Sequence, residues 1–158
     1  MKQFIEEKDI YIEMMQQLKD KFHDTLGHIF VDEILVMTDT EFEIKPPRGK
    51  GGEDPSEEAI AKWEDKKRKA WKFEMKKIPK LYRDALDKNK EFVLIVRQSL
   101  VKELTDAQVI AHVYSEMRKI NHEYKLQKPD VHTFSDLAEK LGRSDWDSAY
   151  DLPNILEN

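Results

Sequence analysis

The run of five apolar residues from Phe92 to Val96, in "EFVLIVRQSL", and the tetrad "TDAQ" at Thr105–Gln108 constrain this chain more than any other feature. A short apolar run rich in branched side chains and bounded by charges predicts a strand buried in a sheet. In the tetrad Thr105 is an N-cap and Gln108 stands at the third helical position, the reciprocal arrangement that satisfies two otherwise unpaired backbone N–H groups. The "VIAHVYSEMRKI" that follows carries a helical stripe. At about 100° per residue, Val109, Ile110, Met117 and Ile120 all fall within about 60° of Val113. A buried strand feeding so soon into an amphipathic helix predicts a helix packed on a sheet, an α+β architecture.

The rest of the chain supplies partners for that pair. From about Glu7 to Phe22, Ile10, Met14, Met15, Leu18 and Phe22 share one side of a predicted helix, and Gly27 ends it. "HIFVDEILVMTD" reads as extended, with one or two strands and with Asp32 and Glu33 as a turn or solvent-facing pair. "KPPRGKGGEDPS", about 45–56, concentrates Pro and Gly without an apolar residue and predicts a mobile loop. Ser56, followed by Glu57 and Glu58, caps a further helix, read through "EEAIAKWEDKKRKAWKFEMKKI" as far as Pro79, with a short helical piece over 80–86. Late in the chain, "DVHTFSDLAEKLG" predicts a helix with Phe134, Leu137 and Leu141 inward and Gly142 as its C-cap. The tail brings Trp146, Tyr150, Leu152, Ile155 and Leu156 across the body.

A chain of 158 residues is long enough for one domain with its own core. With no cysteine, disulfide frameworks, thiolate zinc sites, iron–sulfur clusters and thiol nucleophiles are all excluded, so any metal must sit on His, Asp or Glu. The N-terminal segment has no continuous apolar run, which predicts a cytoplasmic protein with no membrane partner. Charged residues make up 37% of the chain but nearly cancel to −5, so the overall field selects no anionic partner.

Along one flank of the predicted helix, Gln108, His112, Ser115 and Lys119 recur at spacings of four, three and four, with Glu116 between that flank and the core. A zincin helix needs two imidazoles on successive turns and a glutamate beside the first to activate the metal-bound water. Only the glutamate stands in that pattern here. From "FVLIVRQSL" to "DVHTFSDLAEKLGRSDW", roughly residues 91–146, the chain resembles the phage metallopeptidase domain, a zincin-like family. In that family the helix carries H-E-x-x-H and a later loop carries H-D-V before a Phe-containing helix. On this sequence the helix motif falls on Ser115, Glu116, Met117, Arg118 and Lys119, and the loop motif on Pro129, Asp130 and Val131. Glu116, Arg118, Ile120 and the Asp-Val pair keep the pattern, whereas Ser115, Lys119 and Pro129 replace the three zinc histidines.

The resemblance implies a single zincin-like domain over 1–158: a small mixed sheet on the motif-bearing helix, flanking helices, the loop at about 45–56 and a basic helical insertion at about 57–90. It also implies a phage or prophage protein without zinc or another cofactor at the motif. Ser and Pro offer no competent donor, and an ammonium at Lys119 repels a divalent cation. Without the metal, Glu116 has no water of lowered pKa to deprotonate and is a vestigial general base. Lys119 is expected to pair with Glu116 or Asp130 instead. The expected action is then binding of a protein or peptide where a sheet edge meets the helix.

Two other readings stay open. A displaced zinc site on His112, Glu116 and His132, or His122, makes the chain a metal-dependent peptidase. Alternatively, residues 62–90 carry twelve Lys/Arg against five acids, interleaved with Trp63, Trp71, Phe73 and Tyr82. That pattern suits nucleic acid, with Lys66, Lys67, Arg68, Lys69 and Trp71 as the contacts. The competing account of the same segment is a helix whose aromatics cover the sheet while its lysines face water. Neither a G-x-x-x-x-G-K-[ST] phosphate loop nor a G-x-S-x-G elbow occurs.

Overall fold

The run beginning at Phe92 forms the centre of the sheet. The computed structural model describes residues 2–85, 89–128, 135–141 and 152–157. In it β1 (Ile34–Asp39) pairs parallel to β3 (Phe92–Arg97), and β2 (Phe73–Lys77) pairs antiparallel on the other side, giving the order β1-β3-β2. The register aligns Val36 with Leu94 and Leu94 with Met75, so the pleat sends Ile34, Val36, Phe73, Met75, Phe92, Leu94 and Val96 to one face, where all are buried. Val93 and Ile95 turn to the other face and are only half-buried. The apolar run is therefore covered fully on one side.

Three helices lie against that buried face or beside it: α1 (Lys2–Lys21), α2 (His23–Leu26) and, later in the chain, α6 (Asp106–Arg118). The helix expected to run to Gly27 breaks earlier, at Phe22, and Gly27 ends the separate short α2 instead. Among the described side chains of α1, Tyr11, Met15 and Leu18 are buried, whereas Ile10, expected inward, is 57% exposed. The stripe is rotated by one residue because the Tyr11 ring meets Phe73 edge-on at 5.7 Å and occupies the inward position. Helix α6 buries Val113 and Met117 completely, Ile120 just beyond its end is fully buried too, and Thr105 and Gln108 form the expected capping box. Its Tyr114 hydroxyl hydrogen-bonds to Asp136 of α7 (Ser135–Leu141) and lies 3.1 Å from Thr25 Oγ1 of α2, tying three helices together. Leu152 and Ile155 of the tail are buried, and the Ile155 carbonyl accepts from Lys21 Nζ at 2.6 Å.

The basic segment departs from its expected form. Helix α3 (Glu57–Lys69) has the predicted Ser56 cap, accepting from Ala59 N–H at 3.2 Å, but stops at Lys69. Ala70 is extended, and residues 73–77 are strand β2 rather than the second half of a helix. Hydrogen bonding to β3 overrides the helical propensity of this Lys-rich stretch, as the bonds from Arg97 N–H to Lys72 O and from Ile78 N–H to Glu91 O, both 2.9 Å, make clear. Pro79 thus follows a strand, and α4 (Lys80–Ala85) forms the short helical piece expected there. Nor does α3 cover the sheet, since none of its residues is buried. In the 29–44 region only β1 is a strand, preceded by a 3-10 turn at Val31–Glu33 that contains Asp32 and Glu33. The loop at 45–56 holds a single 3-10 turn, Lys50–Gly52. A short α5 (Gln98–Val101) links β3 towards α6. Expectations for Pro129, Asp130, Val131, His132, Phe134, Gly142, Trp146 and Tyr150 fall outside the described residues.

Candidate functional site

The seam between α6 and β2 is where polar chemistry enters the interior. Among the described residues the buried polar or charged ones are Lys72, Gln108 and Glu116. Two of the three lie on the α6 flank and the third immediately precedes β2. This polar flank is covered because β2 runs against it.

Local geometry explains how β2 presents itself. Lys72 O and Ile78 N–H both bond to the β3 segment, so the even-numbered residues turn their backbone groups towards β3. Phe73, Met75 and Lys77 therefore turn theirs to the free edge. The backbone of Met75 faces the Glu116 carboxylate from that edge and favours its charged form. Lys119, one turn further along α6, donates to Glu116 Oε1 at 2.9 Å and lies 2.5 Å from Oε2. The pairing expected of Lys119 is thus with Glu116. Burial pushes the Glu116 carboxyl up from its usual range, and Lys119 and the Met75 backbone pull it back without cancelling the shift.

His112 lies one turn back on the same flank and is half-buried, not an exposed flank residue. Its ring centroid is 5.7 Å from that of Phe73. Burial, with a smaller contribution from the Lys72 charge, holds its pKa down to about 3, so the ring is neutral at physiological pH. Ser115 is half-buried on this flank. Among the described residues no group of three or more His, Asp or Glu side chains is placed to hold a metal. His132, the third member of the displaced set, and Pro129 of the loop motif lie outside those residues.

The basic residues nominated for binding are dispersed by their own ion pairs. Lys67 reaches Glu103 at 3.1 Å, while Arg68 and Lys69 both bind Asp65, at 2.6 and 2.9 Å. Trp71 is covered by the Arg97 guanidinium, 3.4 Å from its ring centre, and Arg97 in turn stacks at 3.7 Å over Phe42. Of the nominated set, Lys66 lines a groove of about 640 Å³ beside Lys45, Lys62 and Trp63. A second groove, of about 480 Å³, runs along the other side of α3 and reaches Lys72 and Gln108 at one end of the seam. Glu116 and Lys119 line neither groove. Sequence reasoning missed β2 and Lys72 as parts of the site, although the alternation of Phe73 and Met75 with Glu74 and Lys76 carries a strand signal.

Compared with known families, the chain matches the model described as "Putative phage metallopeptidase" over residues 2–154. No curated protein and no solved structure matches it.

Proposed function

This chain belongs to the putative phage metallopeptidase family, and we propose that it is a zincin-like member that lacks zinc-dependent hydrolysis at the inherited motif and acts by binding a protein or peptide. The observation that carries this reading is the Glu116–Lys119 ion pair, 2.5 Å long and three-quarters or more buried on both sides. The residues present do not fit a zinc ion in the motif's place. Ser115 supplies a neutral hydroxyl, and the Lys119 ammonium already satisfies the charge of the one carboxylate that remains. A divalent cation there would face a fixed positive charge at close range in a poorly solvated seam. Among the described residues no helix is long and apolar enough to cross a membrane, and no part of the proposal requires one.

Binding is the function that the remaining architecture supports. Strand β2 is an antiparallel edge strand whose Phe73 and Lys77 backbone groups face away from β3, the arrangement that an added peptide strand needs. The test is reconstruction. Ser115→His, Lys119→His and Pro129→His together should bring motif-dependent zinc binding and peptide hydrolysis to a chain that has neither. Hydrolysis by the unaltered chain that is abolished in Glu116→Gln would overturn the proposal. So would zinc released by His112→Ala, which would establish the displaced site.

A further inference from the structure

Two imidazoles meet at the opposite end of α6 from its capping box. The rings of His28, in the segment after α2, and His122, in the turn after α6, stand 4.2 Å apart between centroids and are tilted by 38°. His28 Nε2 is 2.6 Å from the Ile120 carbonyl oxygen. A carbonyl only accepts, so Nε2 carries the proton and the lone pair is left on Nδ1. That Nδ1 is buried and has no hydrogen-bond partner among the described residues. A ring whose N–H is anchored on a backbone carbonyl, with its other nitrogen bare, is oriented as metal-binding imidazoles are.

The two segments are held together without any ion. The Tyr124 hydroxyl donates to Glu33 at 2.6 Å and accepts from Phe30 N–H at 3.2 Å, linking the His122 turn to the His28 segment. Asn121 Oδ1 closes that turn by accepting from the N–H groups of Glu123 and Lys125, each at 3.0 Å. Tyr124 takes a left-handed φ of 61° to make it. The position is also favourable in charge. Ile120 stands two residues past the C-terminal end of the 13-residue α6, the end of the helix dipole that favours a cation.

We propose that His28 and His122 form a two-imidazole site for a borderline divalent transition metal, Zn²⁺ in the first instance, with water completing the coordination. Stacked rings do not yet converge on one point. His122 is exposed, so a change of its side-chain rotamer brings its nitrogen to face His28 Nδ1 while His28 stays fixed. Nitrogen donors of this kind select Zn²⁺, Cu²⁺ and Ni²⁺ over Mg²⁺ and Ca²⁺. Bound there, the ion staples the exit of α6 to the segment that leads into β1. This site does not share a residue with the vestigial motif, so it stands or falls separately from the function proposed above.

The experiment is calorimetric titration of the full, tag-free chain with ZnCl₂, alongside His28→Gln, His122→Ala and His112→Ala. One equivalent should bind, His122→Ala and His28→Gln should each weaken binding at least tenfold, and His112→Ala should leave it unchanged. Zn²⁺ should raise the Tm of the unaltered chain and not that of His122→Ala, whose exposed position spares the fold. Absence of binding at millimolar Zn²⁺, or binding indifferent to both His28→Gln and His122→Ala, overturns the inference. Binding lost in His112→Ala but kept in His122→Ala overturns it too and points to the displaced site instead.

Discussion

An acid and a base three residues apart on a helix are paired on both α6 and α3, with opposite consequences. On α6, Glu116 and Lys119 are 2.5 Å apart with side-chain exposures of 10% and 25%. On α3, Asp65 and Arg68 are 2.6 Å apart with exposures of 44% and 58%. Length does not distinguish them, but burial does. In the exposed pair Lys69 and Arg68 hold the Asp65 carboxyl below its usual value, because water already solvates the charge and partners only add to it. In the seam, loss of water outweighs the partner and drives the Glu116 carboxyl up. A short ion pair is therefore a measure of commitment only where the surroundings leave its members no alternative.

The largest expected effect that tests this contrast is Lys119→Met, which leaves the Glu116 carboxylate buried against a strand edge without its counter-charge. It should cost about 2–4 kcal/mol in denaturant unfolding at pH 8, and adding Glu116→Gln should recover most of it. A recovery of less than half would mean that Lys119 stabilises through packing and not through charge.

The pH dependence of stability sharpens the comparison further. His112 is held at about 3 in the fold against 6.5 when unfolded, so the unfolded chain binds more protons between those values and stability is lost as pH falls through that window. Glu116 works in the opposite sense. Its folded pKa lies above the ordinary 4.5, the folded chain holds the extra proton, and stability falls as pH rises from 4.5 to the folded value. Tm measured against pH should therefore lose its acid-side fall in His112→Gln, exposing the Glu116 slope. Conversely, Glu116→Gln should leave only a rise towards pH 6.5. An acid limb unchanged in His112→Gln would show that the fold does not hold this ring neutral.

Smaller effects follow from the two helix starts. Thr105→Ala removes the cap of a helix that carries core residues and should cost about 1–2 kcal/mol. Ser56→Ala removes the same kind of cap from α3, which buries nothing, and should change global unfolding by less than about 0.5 kcal/mol while increasing amide exchange in that helix. Smallest of all, Asp65→Asn should leave the unfolding midpoint where it is, because its pairs lie in water. A clear loss of stability there would mean that α3 is more firmly part of the fold than its exposure indicates.

How much of the site was legible in the sequence depended on whether a residue acts within its own element. The Thr105–Gln108 box and the Ser56 cap are contacts within a few residues, and each forms as read. The Lys119–Glu116 pairing is likewise local, three residues apart, and was foreseeable. Strand β2 was not. "KFEMKKI" continues the charge pattern of α3, and its weak alternation of Phe73 and Met75 becomes a strand only because β3 offers an edge. Ile10 illustrates the same limit on a smaller scale: a helical stripe is fixed by periodicity to within a residue, and the partner ring at Phe73 selects which residue faces in.

By itself, then, the sequence determined an α+β chain with a capped, amphipathic helix after an apolar strand, and a motif on that helix from which the metal-binding imidazoles are missing. These are matters of spacing and side-chain identity, and short-range interactions settle them. Tertiary structure alone decided that Gln108 and Glu116 on the polar flank of α6 are buried, that β2 lies against Glu116, and that His28 stacks on His122 from 94 residues away. The physical reason is desolvation. A charge or an imidazole acquires its character from the water that neighbouring elements remove, and those neighbours are distant in the chain.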